Sequence, residues 1–197
     1  SLETFIKHEY EQLTFIDSDM DEIRNPKFTQ EYYNHLKELY QKVESNSFET
    51  SDISLSFKKE MFKVLYNKPP KIRSSHYVNQ SINHDKIQKN YLENTPELVV
   101  IDDFLQNEQL FELQKYCRNA NIFKYPYQMG YVAAFLSKGM SSEFFLNLSE
   151  DLRKTFNLIF KNYQLTQAWI FKYENSREGT KIHADQASIN VNFWITP

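Results

Sequence analysis

The sequence predicts an α+β chain in which a helical N-terminal segment precedes a region of mixed strands and helices. Two observations carry this. Through the first ~70 residues apolar side chains recur three or four apart, the period of a helix with one buried face. From Leu98 onward that period is broken by short runs that alternate, or are continuously apolar, as strands do.

The opening segment reads as helix as far as a polar break from Asp17 to Pro26. Pro26 is placed to open a second helix running to about Glu44, with Phe28, Tyr32, Leu36, Leu39 and Val43 on one stripe. A further helix is expected from near Asp52, carrying Leu55, Met61, Phe62 and Leu65, until Pro69-Pro70 stops it. Residues 71–97 are polar and rich in Asn, Ser and Lys, which reads as a linker containing a short helix. The expected division is therefore a helical segment 1–70, a linker 71–97 and a compact region 98–197.

In that last region Leu98 to Ile101 predicts a short apolar strand. Asp102 and Asp103 follow it, and capping of the next helix accounts for at least one of them without chemistry. Asn107 to Ala120 is an amphipathic helix with Leu110, Leu113, Cys117 and Ala120 on its stripe. Gly130 to Leu136 predicts a strand. Ser141 to Tyr163 predicts a long helix buried along Phe145, Leu148, Leu152, Phe156 and Ile159. Gln167 to Tyr173 and Ile189 to Ile195 alternate as half-buried strands should.

Composition excludes several classes. A net charge of −3 gives no electrostatic case for nucleic acid. Three glycines leave no Gly-rich phosphate cradle. The single Cys117 permits neither an internal disulfide nor a cysteine-rich zinc site, and is expected as a buried, inert thiol. No apolar run approaches the ~20 residues that span a bilayer, and the N-terminus lacks a secretion-signal pattern, so a cytoplasmic location is expected.

The chemistry concentrates in Lys181 to Pro197, K-I-H-A-D-Q-A-S-I-N-V-N-F-W-I-T-P. His183 and Asp185 stand at i and i+2, the spacing that puts two side chains on one face of a strand and lets both reach one metal ion. They match two members of the 2-His-1-carboxylate triad of non-haem Fe(II) oxygenases. With five His and nine Asp in the chain, chance supplies about 0.2 such pairs, so the pair gains its weight from its neighbours. Glu174 to Gly179 is a polar turn leading in, and Ile189, Val191, Phe193 and Ile195 share one strand face beyond it. Asn192 and Trp194 lie on the other.

The runs V-V-I-D-D-F-L (99–105), G-Y-V-A-A-F-L (130–136), W-I-F-K-Y (169–173), and H-A-D followed by N-V-N-F-W-I-T-P occur in that order. Together they resemble the 2-oxoglutarate/Fe(II)-dependent oxygenases found at the C-terminal end of tetratricopeptide-repeat proteins, over about residues 71–197. The resemblance implies a double-stranded β-helix (jelly-roll) core, incomplete at its C-terminal side, with His183 and Asp185 as the first two iron ligands. It places the distal His and the basic residue for 2-oxoglutarate downstream of Pro197. The implied activity is a dioxygenase (hydroxylase) acting on a small molecule or a peptide or protein side chain, with Fe(II) and 2-oxoglutarate as cofactor and co-substrate.

Tyr173 and Asn192 are the candidates to contact the co-substrate, and no catalytic group is assigned beyond the metal ligands. Trp194 reads rather as packing, Lys172 as a surface lysine on the face opposite Tyr173, and Tyr131 and Arg177 as weaker site candidates. His8, His35, His76 and His84 read as surface histidines. The competing reading is a binding or scaffold module that keeps the oxygenase fold without iron. A zinc hydrolase is disfavoured because neither a nearby third ligand nor a general base accompanies the pair.

Overall fold

A computed structural model describes residues 1–18, 29–174, 183 and 185–196. The residues group into two compact units. One comprises Ser1–Lys68, Cys117–Met140 and Trp169–Trp194; the other comprises Pro69–Tyr116, Ser141–Ala168 and Ile195–Pro197.

In the first unit, α1 (Leu2–Ser18) packs on α2 (Gln30–Glu44), followed by a 3-10 turn at Thr50–Asp52 and a short α3 (Leu55–Glu60). The predicted α2 stripe is the buried one: Tyr32, Leu36, Leu39 and Val43 face Phe5, Ile6, Leu13 and Ile16 of α1. The Thr29 hydroxyl accepts the Tyr32 N–H at 3.2 Å and so starts α2, where Pro26 and Phe28 lie outside the described residues. Ser54 caps α3 in the same way through the Phe57 N–H, and the Phe57 ring stacks on Tyr32 at 4.6 Å. The helix expected from Asp52 to Leu65 is shorter than its apolar pattern suggested. It ends at Glu60, and the chain beyond is held instead by Asn121, whose Oδ1 accepts the Leu65 N–H at 2.9 Å.

Three strands complete this unit: β1 (Tyr125–Tyr127), β2 (Tyr131–Phe135) and β3 (Trp169–Tyr173), antiparallel in the order β1-β2-β3. Gly130, at φ +77°, takes the left-handed conformation that the tight β1–β2 turn needs. Register aligns Tyr127, Tyr131 and Tyr173 in one row and Tyr125, Ala133 and Phe171 in the next, with Phe135 opposite Trp169. Paired residues share a face, so seven aromatic rings and one alanine form one side of the sheet. The other side carries Val132 and Ala134, both fully buried, and Lys172, whose ammonium donates to Gln12 Oε1 of α1 at 3.1 Å.

The second unit holds α4 (His84–Glu93), α5 (Asn107–Asn119, whose last turn belongs to the first unit), α6 (Glu143–Thr155) and α7 (Asn157–Phe160). Tyr77 meets Phe144 edge-on at 5.0 Å, and Asp151 of α6 accepts the Tyr77 and Val78 backbone N–H groups at 2.7 and 2.8 Å. Glu112 of α5 takes the Arg73 guanidinium at 2.6 Å. The long helix expected from Ser141 to Tyr163 is two helices. Phe156 leaves helical geometry (φ −110°, ψ 53°) so that its ring is buried, stacked on Phe104 at 5.6 Å.

Two predicted strands are absent among the described residues. Leu98 to Ile101 finds no pairing partner, and Val100 is 88 % exposed. Ile189 to Ile195 likewise joins no strand ladder: Ile189, Phe193 and Ile195 are half-buried while Asn190, Val191, Asn192 and Trp194 are exposed, and the Ile195 carbonyl accepts instead from the Gln114 side chain at 2.8 Å. Apolar alternation permits a strand; ladder hydrogen bonds make one. The fold is thus mixed helix with a small three-stranded antiparallel sheet, α+β in class. No helix among the described residues is long and apolar enough to cross a membrane.

Candidate functional site

His183 and Asp185 are brought together. The imidazole Nε2 lies 3.6 Å from Asp185 Oδ1, with the His183 side chain 56 % and the Asp185 side chain 32 % exposed. A tight turn follows, in which the Ala187 N–H donates to the Asp185 carbonyl at 2.9 Å. An imidazole nitrogen and a carboxylate oxygen are a donor pair suited to a divalent first-row ion. Two atoms each about 2.1 Å from one ion sit about 3 Å apart at a right angle. Small side-chain rotations close the observed separation to that value, so the pair fits such an ion. Among the described residues no group of three or more His, Cys, Asp and Glu side chains gathers around a common point.

The other predicted site residues are placed separately. Tyr173 ends β3, 42 % exposed, its ring 5.1 Å from Tyr131 and 6.1 Å from Phe171. Asn192 is exposed on the irregular segment beyond the ligand pair. Trp194 is 91 % exposed, which removes the packing role expected of it. Arg177, most of the predicted Glu174–Gly179 turn, and Pro197 lie outside the described residues.

Tyr131 is a stronger feature than its sequence suggested. It sits between Tyr127, stacked at 4.6 Å, and Tyr173, with its own ring buried. Burial, then the two neighbouring phenols, push its hydroxyl above the ordinary tyrosine range. A Glu174 N–H to Gly130 carbonyl bond of 2.9 Å extends the β2–β3 ladder by one step and fixes this register.

Two expectations about basic residues are corrected. Lys172 is not a surface lysine. Its ammonium lies under the sheet, against Gln12 and 5.8 Å above the Phe123 ring, and burial holds its pKa below the usual lysine value. His8 is not a surface histidine either. It is 6 % exposed, and burial, helped by the Lys172 charge, lowers its pKa to about 4. The sequence did carry a signal for both: Thr4, His8 and Gln12, four apart on α1, form a buried polar stripe facing the sheet. Cys117 is half-buried rather than buried, and desolvation pushes its thiol up to about 12.

No protein family, curated protein or solved structure matches the chain.

Proposed function

We propose that the chain belongs to an Fe(II)- and 2-oxoglutarate-dependent dioxygenase and contributes two of its iron ligands. The observation that carries this reading is the 3.6 Å approach of the His183 imidazole to the Asp185 carboxylate. The order of the surrounding motifs, the resemblance they bear to the oxygenases of tetratricopeptide-repeat proteins, and the antiparallel sheet leading into the pair all support it. In this reading the three strands are part of a double-stranded β-helix. His183 presents a neutral nitrogen and Asp185 a negative charge to the ion.

Iron bound there would supply the oxidising chemistry, in which dioxygen gives one oxygen atom to succinate as 2-oxoglutarate loses carbon dioxide and the other to a substrate C–H bond as a hydroxyl. The chain's own groups position and shield. In this reading the Tyr173 hydroxyl donates to a co-substrate carboxylate, Tyr131 holds the Tyr173 ring, and the Asn192 amide offers a second polar contact. The uncharged aromatic wall beside Tyr173 excludes water from that side of the reacting groups. The substrate is a small molecule or a peptide or protein side chain.

Anaerobic calorimetric titration of Fe(II) into the chain, with and without 2-oxoglutarate, tests the proposal. Saturable binding is expected, strengthened by 2-oxoglutarate and lost in His183→Ala and in Asp185→Ala. A folded chain that takes up no iron, or takes it up equally in both variants, overturns the reading. It would leave the chain as a binding module in which the pair only caps a turn.

A further inference from the structure

We propose that the polar cluster between α1 and the inner face of the β1-β2-β3 sheet is a binding site for a small monovalent anion, chloride, held by the Lys172 ammonium and the His8 imidazole. The proposal does not depend on iron or 2-oxoglutarate. It rests first on a contrast between two lysines of the same unit. Lys124 meets a carboxylate, Glu9, at 2.7 Å. Lys172 does not. Its ammonium donates to Gln12 Oε1 at 3.1 Å and lies 5.8 Å above the Phe123 ring, and among the described residues no carboxylate forms an ion pair with it. Glu11 acts on it only through space, from an exposed position on α1. An amide oxygen and a ring face soften a charge withdrawn from water without cancelling it.

His8 is the second, independent observation. It is 6 % exposed, and among the described residues neither ring nitrogen has a hydrogen-bond partner. Buried polar atoms are nearly always partnered. His8 stands one helical turn before Gln12 on the same buried stripe of α1, so its ring neighbours the amide that holds the ammonium. The Gln12 amide is fixed in orientation, because its Nε2 donates to the Arg118 carbonyl and leaves Oε1 toward Lys172. His8 is the sealed end of the cluster and Lys172, half-buried, is the open one.

Charge and donor count select the ligand. The ammonium repels a metal cation. A water molecule would satisfy the imidazole N–H but leave the positive charge uncancelled. Phosphate and sulfate bring several acceptor oxygens, whereas the cluster offers the ammonium and one N–H of a neutral imidazole. The surround is apolar: Val132, opposite Lys172 in the register, and Ala134 are fully buried, and Phe123 is 6 % exposed. A halide accepts from two donors without directional demands, and a large halide sheds its water more easily than fluoride does. Chloride answers both the charge and the N–H.

An anion that binds only the folded chain raises its urea midpoint as the logarithm of concentration above Kd. Sodium chloride is therefore exchanged for sodium isethionate, whose anion is too large for the cluster, at pH 7 and constant ionic strength. The midpoint is expected to climb with the chloride fraction, to climb as much with bromide and to change little with fluoride. Lys172→Met and His8→Leu should each weaken the apparent chloride affinity about fivefold or more, by analogy with the loss of a central binding contact. Lys59→Met, at an exposed position of α3, should leave the response intact. Far-ultraviolet circular dichroism checks that each variant is folded. Bromide-soaked crystals of the parent chain need no variant, and anomalous scattering should place one bromide between Lys172 Nζ and a His8 ring nitrogen. Equal midpoints in chloride and isethionate overturn the proposal. So does a chloride response that persists in folded Lys172→Met, or bromide found only at exposed lysines.

Discussion

Glu9 of α1 and Lys124, the residue before β1, form an ion pair of 2.7 Å sealed from solvent. The pair is fully furnished. Asn121 Nδ2 donates to both carboxylate oxygens at 2.8 Å, the Tyr32 hydroxyl donates to Oε1 at 3.1 Å, and the ammonium lies 5.6 Å above the Phe5 ring. Burial lowers the Lys124 pKa against the pull of Glu9, so desolvation is the larger effect. Removing one partner leaves a buried charge unpaired, which costs about 3–5 kcal/mol. Glu9→Gln and Lys124→Met should each lose that order of stability in urea denaturation, while the double variant recovers most of it. Additive losses would show that the two groups do not act as a pair.

His8 predicts how stability depends on pH. Its folded pKa of about 4 lies below the unfolded value of 6.5, because burial and then the Lys172 charge disfavour the imidazolium. The unfolded chain thus binds the extra proton first. The contribution is fully present above about pH 6.5 and is lost as pH falls through about 4, up to about 3 kcal/mol in all. The charge acting on it is Lys172, whose ammonium donates to Gln12 and feels the Glu11 carboxylate and the Cys117 thiol in turn. Urea midpoints from pH 7 to 4 should fall for the parent chain and fall less for His8→Leu. Parallel curves would assign the acid sensitivity to other groups.

Asp151 makes a separable test in the second unit. Its carboxylate oxygen Oδ2 accepts two consecutive backbone N–H groups, from Tyr77 and Val78, at a buried site. Asp151→Ala strands both donors, at about 1–3 kcal/mol for a stranded group. Denaturation should report that loss, accompanied by faster amide exchange at Tyr77 and Val78. A change within about 0.5 kcal/mol, as for a surface substitution, would mean that solvent replaces the carboxylate.

How far the sequence discloses this molecule depends on whether a feature is local. The α2 stripe and the β3 alternation follow from periodicity, Gly130 to Leu136 reads as the strand that is β2, and the structure buries Tyr32, Leu36, Leu39 and Val43 of the α2 stripe. β1 is not legible in the same way: Tyr-Pro-Tyr is three residues with a proline at the centre, and only the register with β2 makes it a strand. Leu98 to Ile101 fails in reverse, having strand composition but no partner. At the site, the i, i+2 spacing of His183 and Asp185 is local and was readable. The opposition of Tyr131 to Tyr173 is a pairing across 42 residues and was not. His8 and Lys172 were misjudged because single polar residues look exposed until both sides of their element are covered.

The ligand pair offers the sharpest separation of function from fold. His183 is more exposed than buried, and its Nε2 stands 3.6 Å from Asp185 Oδ1. Substitution of exposed side chains usually moves stability by only about 0.5 kcal/mol. A pair that serves to cap a turn and a pair that serves to hold iron therefore predict opposite patterns. In the first case His183→Ala and Asp185→Ala lower the urea midpoint and leave metal uptake as it was. In the second the midpoint is unchanged while Fe(II) binding disappears, and Asp185→Glu, which keeps the charge but displaces it by one methylene, retains weakened binding. Measuring both quantities on the same variants decides between them. The outcome expected here is unchanged stability with iron binding lost.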